Sequence, residues 1–279
     1  MWRLFKKIAL VVLALVTLFI VYEVVTFPRV AELRSKNPET TSMIETRLKE
    51  AREEGREPKR VQQWVPLSRI SPNLQRAVLA GEDSNFVAHN GFDYEAIQKA
   101  WEAGQKEAEK EAKQEGDNDS SDWIPDLSKF RRGGSTVSQQ LAKNLYLSSE
   151  RTAARKVKEA AITYFMERSL SKCRILEIYL NVIEWGDGVY GAEAAARTYF
   201  RVPAAALSAE QSALLAGSLI NPRRYSPGSP PRRLLRRQRI ILARMRIGGG
   251  PLATSSAPRP AVGAARAHLA EPPAGGARR

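Results

Sequence analysis

Hydrophobic positions in this chain follow two patterns, an almost unbroken run near its start and, further on, pairs repeating at helical spacing. The run extends from Ile8 to Tyr22 and, interrupted only by Glu23, to Val25. As a helix its 18 residues would span about 27 Å, close to the roughly 30 Å of a bilayer's hydrocarbon core. A membrane-spanning helix is therefore predicted. A cleaved signal peptide is the rival reading, but no small-x-small site follows the run, whose end is Val21, Tyr22 and Glu23.

From Phe27 to Pro66 the chain is polar and charged with a proline near each end, which predicts a partly helical juxtamembrane stalk lifting a folded domain off the bilayer. Helical spacing then dominates. Leu74, Val78 and Leu79 set one stripe, Leu141 and Leu145 another, Ile162, Phe165 and Met166 a third, and Ile175, Ile178 and Tyr179 a fourth. No strand alternation or hairpin turn stands out, so an all-α domain over 67–247 is predicted. Trp101 to Arg132, rich in Glu, Lys, Asp and Ser, reads as a helical extension running into a mobile loop. The tail 248–279 is Gly, Pro and Ala with scattered Arg, too polar to pack, and is expected to be disordered.

Charge narrows the choice of partner. The chain has 44 basic and 30 acidic residues, a net +14, which favours nucleic acid, membrane headgroups or a phosphorylated substrate. Arg3, Lys6 and Lys7 precede the apolar run and only Arg29 and Arg34 closely follow it, so residues 1–26 are expected to be a cytoplasmic stub and single-pass anchor. The rest then lies outside the cytoplasm, away from nucleic acid. The lone Cys173 excludes an internal disulfide and a cysteine zinc site.

Two acidic positions stand out as chemistry. Glu82 ends an apolar helix with Asp83 beside it and Phe86 and His89 just beyond. Apolar walls and a neighbouring negative charge would make such a carboxyl readier to take up a proton, as a general base must. A solvated acidic pair at a helix end is the alternative. His89 as a metal ligand has little support, because the only other histidine, His268, lies in the tail. The second position is Glu159, which falls on one helical stripe with Arg151, Arg155 and Lys158. That stripe is either a solvated, salt-bridged face or a set of cations converging on a leaving pyrophosphate. Between the two acids, Arg131 to Thr136 combines cations, glycines and hydroxyls before a helix carrying Gln139, Gln140, Lys143 and Asn144. Such a helix N-terminus suits an anionic oxygen, unless it is an ordinary glycine turn with a hydroxyl cap.

Five motifs in one order, Glu82-Asp83-Ser84-Asn85-Phe86-Val87-Ala88-His89, Gly133 to Gln140, Arg155 to Glu159, Ile175 to Asn181 and Tyr190-Gly191, resemble the peptidoglycan glycosyltransferases found in class A penicillin-binding proteins and in monofunctional transglycosylases. The resemblance covers about Leu74 to Met245 and implies a helical, lysozyme-like, two-lobed fold with a small lobe in the membrane surface. It implies lipid II and the lipid-linked glycan chain as substrates, an inner-membrane location with the domain in the periplasm, and association with other cell-wall synthases. By the same resemblance Glu82 is the general base and Glu159 the second essential carboxylate, acting at the donor pyrophosphate directly or through Mg²⁺ or Mn²⁺, with no organic cofactor. Asp83, Phe86, Ser135, Gln139, Gln140, Lys143, Arg151, Arg155 and Lys158 would line the substrate cleft. Lys172 to Asn181 reads as structural.

Three other readings compete with this one. Ser169-Leu170-Ser171-Lys172 fits the first transpeptidase pattern, but it lies inside the match and no Lys-Thr-Gly occurs, so a single activity is expected. A lysozyme-like hydrolase would also use a glutamate, without needing the cations. A noncatalytic scaffold would be expected to have lost one or both glutamates. Arg232, Arg233, Arg236, Arg237 and Arg239 on the last helix either meet anionic headgroups or are plain solvated charge.

Overall fold

The computed structural model describes residues 2–115, 135–147, 150 and 152–247. Helix α1, Trp2–Val25, is exposed from Trp2 to Phe19 and again at Val21, Tyr22 and Val25. Over Trp2–Glu23 its mean hydropathy is 2.5, long and apolar enough to cross a membrane. The remaining helices are α2 (Ser42–Glu53), α3 (Pro72–Glu82), α4 (Tyr94–Glu115), α5 (Val137–Tyr146), α6 (Ala153–Ser169), α7 (Lys172–Val182), α8 (Ala192–Phe200), α9 (Ala209–Ser218) and α10 (Arg232–Ile247). Most start where a hydroxyl can satisfy an orphan backbone N–H: Thr41, Ser71, Thr136, Thr152, Ser171 and Ser208 each accept from the first turn that follows. Pro72, lacking an N–H, opens α3 at no cost.

The helices pack as two groups. In one, α3, α9 and α10 lie together; in the other, α5 packs on α2, α6 and α7. Their apolar stripes meet in one core that includes Leu74, Val78, Leu141, Ile162, Met166, Ile175 and Ile178. The periodicity read from the sequence thus names the buried faces correctly, except that Phe165 is exposed. Helix α4 carries the predicted extension as far as Glu115; the loop beyond it and the tail from Gly248 fall outside the described residues.

The domain is mostly helical, as expected, and two details of the expectation are corrected. A three-stranded sheet of order β1-β3-β2 exists, formed by β1 (Val61–Gln62), β2 (Glu184–Gly186) and β3 (Val189–Tyr190). β1 runs parallel to β3 and β2 antiparallel to it, with an irregular register between Glu184 and Gly186. Strands this short cannot show alternation, and every residue of β2 and β3 is buried, so no polar face marks them. The hairpin turns at Gly188, whose φ of +73° suits glycine and whose Cβ would fall 2.9 Å from the Lys59 carbonyl oxygen.

The second correction concerns residues 27–66, which form no free stalk. Val30, Leu33, Ile44 and Val65 are buried, and Phe27 packs edge-on against Phe165 at 5.2 Å between ring centres. Arg174 donates to the carbonyls of Leu33 (2.8 Å) and Lys36 (3.0 Å), and Arg47 pairs with Glu184 at 3.1 Å. A few well-spaced apolar residues anchor a segment whose average composition is that of a linker.

Asn181 joins this segment to α7. Its Oδ1 accepts from Val65 N–H (2.9 Å), and its Nδ2 donates to the carbonyls of Val65 (2.9 Å) and Glu177 (2.8 Å). The side chain is wholly buried, so removing it strands backbone groups that water cannot reach. Asn181→Ala should lower stability by about 3 kcal/mol, measured as the denaturant midpoint in detergent; a loss under about 1 kcal/mol would show that the segment is held by its apolar contacts alone.

Candidate active site

Glu82 is the last residue of α3, and it faces the junction of the two helix groups. Its side chain is 14% exposed. Gln140 Nε2 on α5 donates to one carboxylate oxygen at 3.0 Å, and Arg237 Nη2 on α10 donates to the other at 3.1 Å. Tyr179 Oη on α7 donates to Gln140 Oε1 at 2.8 Å, which turns the amide's NH₂ end toward Glu82. Burial, and then the charges of Glu82 and Asp83, hold the Tyr179 phenol well above its ordinary range, so it remains a donor.

Asp83 does not line the cleft. Its side chain accepts from the Val137 N–H at 2.9 Å and faces His89 Nε2 at 2.9 and 3.1 Å. Gly91 N–H donates to His89 Nδ1 at 3.1 Å, so Nε2 carries the ring proton and donates to Asp83. The anion at the start of α5 is therefore Asp83's own carboxylate, where an anion from outside was expected. Phe86 is likewise in the core at 1% exposure, under the Lys172 ammonium 4.4 Å from its ring centre. Neither residue is open to a ligand. The His89 side chain, 8% exposed, is taken up by Asp83 and the Gly91 N–H.

On α5, helical spacing groups Gln139, Gln140, Lys143 and Asn144 on one face, but Gln139 turns away from it. Its Oε1 accepts from Thr136 N–H (3.0 Å) while Thr136 Oγ1 accepts from Gln139 N–H (3.2 Å), a reciprocal cap that consumes the side chain. Gln140 and, one turn on, the half-buried Lys143 keep the face. Ser135 is exposed just before the cap, and Arg131 to Gly134 lie outside the described residues.

The cationic stripe of α6 divides. Glu159, 3% exposed, is held by Arg155 at 2.8 Å and by a short contact from Lys156. Lys158 instead reaches Glu23 of α1 at 2.9 Å. Arg151 lies outside the described residues. Two cations thus surround one buried acid, an arrangement stable only because each charge has a partner.

Comparison with known proteins decides the family. A family model described as transglycosylase matches residues 48–116 and 123–246. The biosynthetic peptidoglycan transglycosylase of Laribacter hongkongensis is 45% identical over 234 residues, 84% of this chain and 94% of that protein. That of Methylobacillus flagellatus is 44% identical over 249 residues, 89% and 99% respectively. That of Nitrosomonas eutropha is 47% identical over 212 residues, 76% and 79%. The chain belongs to the transglycosylase family.

Three residues that contact the candidate site of this transglycosylase are absent from the sequence reading of that site. Lys156 falls off the helical stripe yet reaches Glu159 from i−3. Tyr179 sits in a motif read as structural and acts through Gln140. Arg237 was grouped with the other basic residues of α10, although it alone falls between the buried Leu234 and Ile241 at helical spacing. That interruption of an apolar stripe was the available signal.

Removing the phenol hydroxyl should release the Gln140 amide while leaving the aromatic packing intact. For Tyr179→Phe the loss of one hydrogen bond, ~1 kcal/mol, predicts a roughly fivefold lower transglycosylation rate. Unchanged turnover in initial-rate assays would mean that Gln140 needs no orientation by Tyr179.

Proposed function

We propose that this membrane-anchored transglycosylase polymerises lipid II into peptidoglycan glycan strands. The observation that carries the reading is the Glu82 carboxylate, held by Gln140 and Arg237 at a junction of two helix groups while part of it stays open to solvent. Gln140 and Arg237 each fix one oxygen, so the carboxylate is held in one orientation toward the opening, as a general base within hydrogen-bond reach of a hydroxyl must be.

In the reaction, Glu82 takes the proton of the acceptor's 4-hydroxyl as that oxygen attacks the anomeric carbon of the growing chain. The anomeric bond to the lipid pyrophosphate breaks, the leaving group departs with the electron pair, and the anomeric centre inverts. Arg155, with Lys143, supplies positive charge where the pyrophosphate's charge develops, and Glu159 sets the position of Arg155 and Lys156. A resident Mg²⁺ or Mn²⁺ does not fit these residues as arranged. Both Glu159 oxygens are engaged by cations, and among the described residues no three His, Cys, Asp or Glu side chains gather.

Helix α1 supports an inner-membrane anchor, and the cations preceding it favour a cytoplasmic N-terminus with the domain on the outer face. Substrate carried in the lipid bilayer would then reach the cleft without leaving the surface. Lysozyme-like hydrolysis is the weaker reading, because it has no use for paired cations beside a second buried acid.

Purified protein in detergent with labelled lipid II should yield polymer that lysozyme digests. Glu82→Gln should reduce the rate at least about 100-fold, and Glu159→Gln should impair it by loosening Arg155 and Lys156. If folded wild type makes no polymer but cuts preformed glycan, the hydrolase reading replaces this one.

A further inference from the structure

Helix α10 is strongly basic, yet its arginines are not equivalent. Arg232, Arg233, Arg236 and Arg239 are exposed, as solvated or headgroup-facing charges would be. Arg237 is half-buried, with Leu234 three residues before it and Ile241 four after it, both 1% exposed. A guanidinium within a buried stripe costs free energy unless something pairs with it. Its Nη2 lies 3.1 Å from Glu82 Oε1 and 3.4 Å from the Gly81 carbonyl, while its Nε is buried with no hydrogen-bond partner. The side chain leaves one donor unsatisfied and directs another at the carboxylate, a compromise that stability alone does not call for.

The helices around it are shaped to permit this approach. A Cβ on Gly81 of α3 would lie 3.2 Å from Ile241 Cδ1, and one on Gly217 of α9 would lie 3.0 Å from Leu234 Cδ1 and 3.7 Å from Arg237 Cγ. Two glycines, one on each partner helix, let α10 settle close enough for Arg237 to reach the end of α3. One turn beyond Ile241's side of the helix, Arg244 Nη1 donates to the Ala80 carbonyl at 3.2 Å without touching Glu82. Both arginines thus satisfy carbonyls at the C-terminal end of α3, where positive charge is favoured. Only Arg237 also holds the acid.

We infer that Arg237 is a positioning residue for the transfer reaction: it fixes one oxygen of Glu82 while Gln140 fixes the other, so that the remaining lone pairs face the incoming hydroxyl. The inference rests on Glu82 being the base. It makes the last helix part of the active site, a role that neither the membrane-facing nor the solvated reading of its charge includes. Because the guanidinium acts on the base and not on bound lipid, its loss should lower kcat and leave KM nearly unchanged.

Arg237→Met, Arg237→Lys and Arg244→Met, each checked by thermal melting, are compared with wild type in lipid II polymerisation. Arg237→Met should lower kcat roughly 10- to 100-fold with KM within about twofold, and Arg237→Lys should fall between it and wild type. Arg244→Met, which removes a carbonyl cap but no contact to Glu82, should keep kcat within about twofold. If Arg237→Met folds poorly, Arg237→Lys with an unchanged melting temperature still decides: a lowered kcat at constant KM supports the inference, and wild-type kcat overturns it. Equal losses in Arg237→Met and Arg244→Met, or a change in KM alone, would reduce Arg237 to a helix cap or a lipid contact. Absence of polymer from wild type would remove the lipid II reading itself, and this inference with it.

Discussion

The site depends first on one carboxylate that does no chemistry. Asp83 accepts the N–H of Val137 at the start of α5 and the Nε2 proton of His89, and Thr136 Oγ1 donates 2.7 Å to the Gly91 carbonyl in the same loop. These bonds tie the end of α3 to the beginning of α5. Since Val137 precedes Gln140 by a single helical turn, they also set the height at which Gln140 meets Glu82. Burying a charge of this kind is costly unless it is fully bonded, and here a helix N-terminus and a neutral imidazole meet the need. Adjacent acids at 82 and 83 therefore differ in their surroundings, one pinning the backbone and the other held by Gln140 and Arg237 with part of its carboxylate open to solvent.

The cations are disposed with similar economy. Positive charge that composition presents as a diffuse +14 resolves into distinct uses. Arg237 and Arg244 meet the carbonyls at the end of α3. Arg155 and Lys156 enclose Glu159, and Lys158 joins α6 to Glu23, the one acid in the apolar run. The last pair bears on how the domain meets α1: an ion pair near the end of that apolar helix and the Phe27–Phe165 contact beside it join the two. With Val30, Leu33 and Ile44 also buried, the segment after α1 is packed onto the domain and is not a flexible tether.

Much of this protein could be read from residue order alone. Helical periodicity located the core faces of α3, α5, α6 and α7, because a 3.6-residue repeat is a local property of the chain. The length and apolarity of α1 are equally local. Glu82 and Glu159 stand out because the motifs that carry them are contiguous and ordered, a signal that needs no knowledge of contacts.

What the tertiary structure decided is which neighbour each polar group finds. Asp83 and Gln139 look like cleft residues in the motifs, but a helix start 54 residues away claims one and a capping box the other. Arg237 looks like surface charge until α10 folds back 155 residues in sequence onto Glu82. The sheet of two- and three-residue strands and the packing of 27–66 escaped for the same reason. Sequence patterns report the free energy of burying a face, which is summed over a local stretch. Hydrogen bonds and ion pairs depend on distances of about 3 Å between groups far apart in the chain, and only the packed helices bring those groups together.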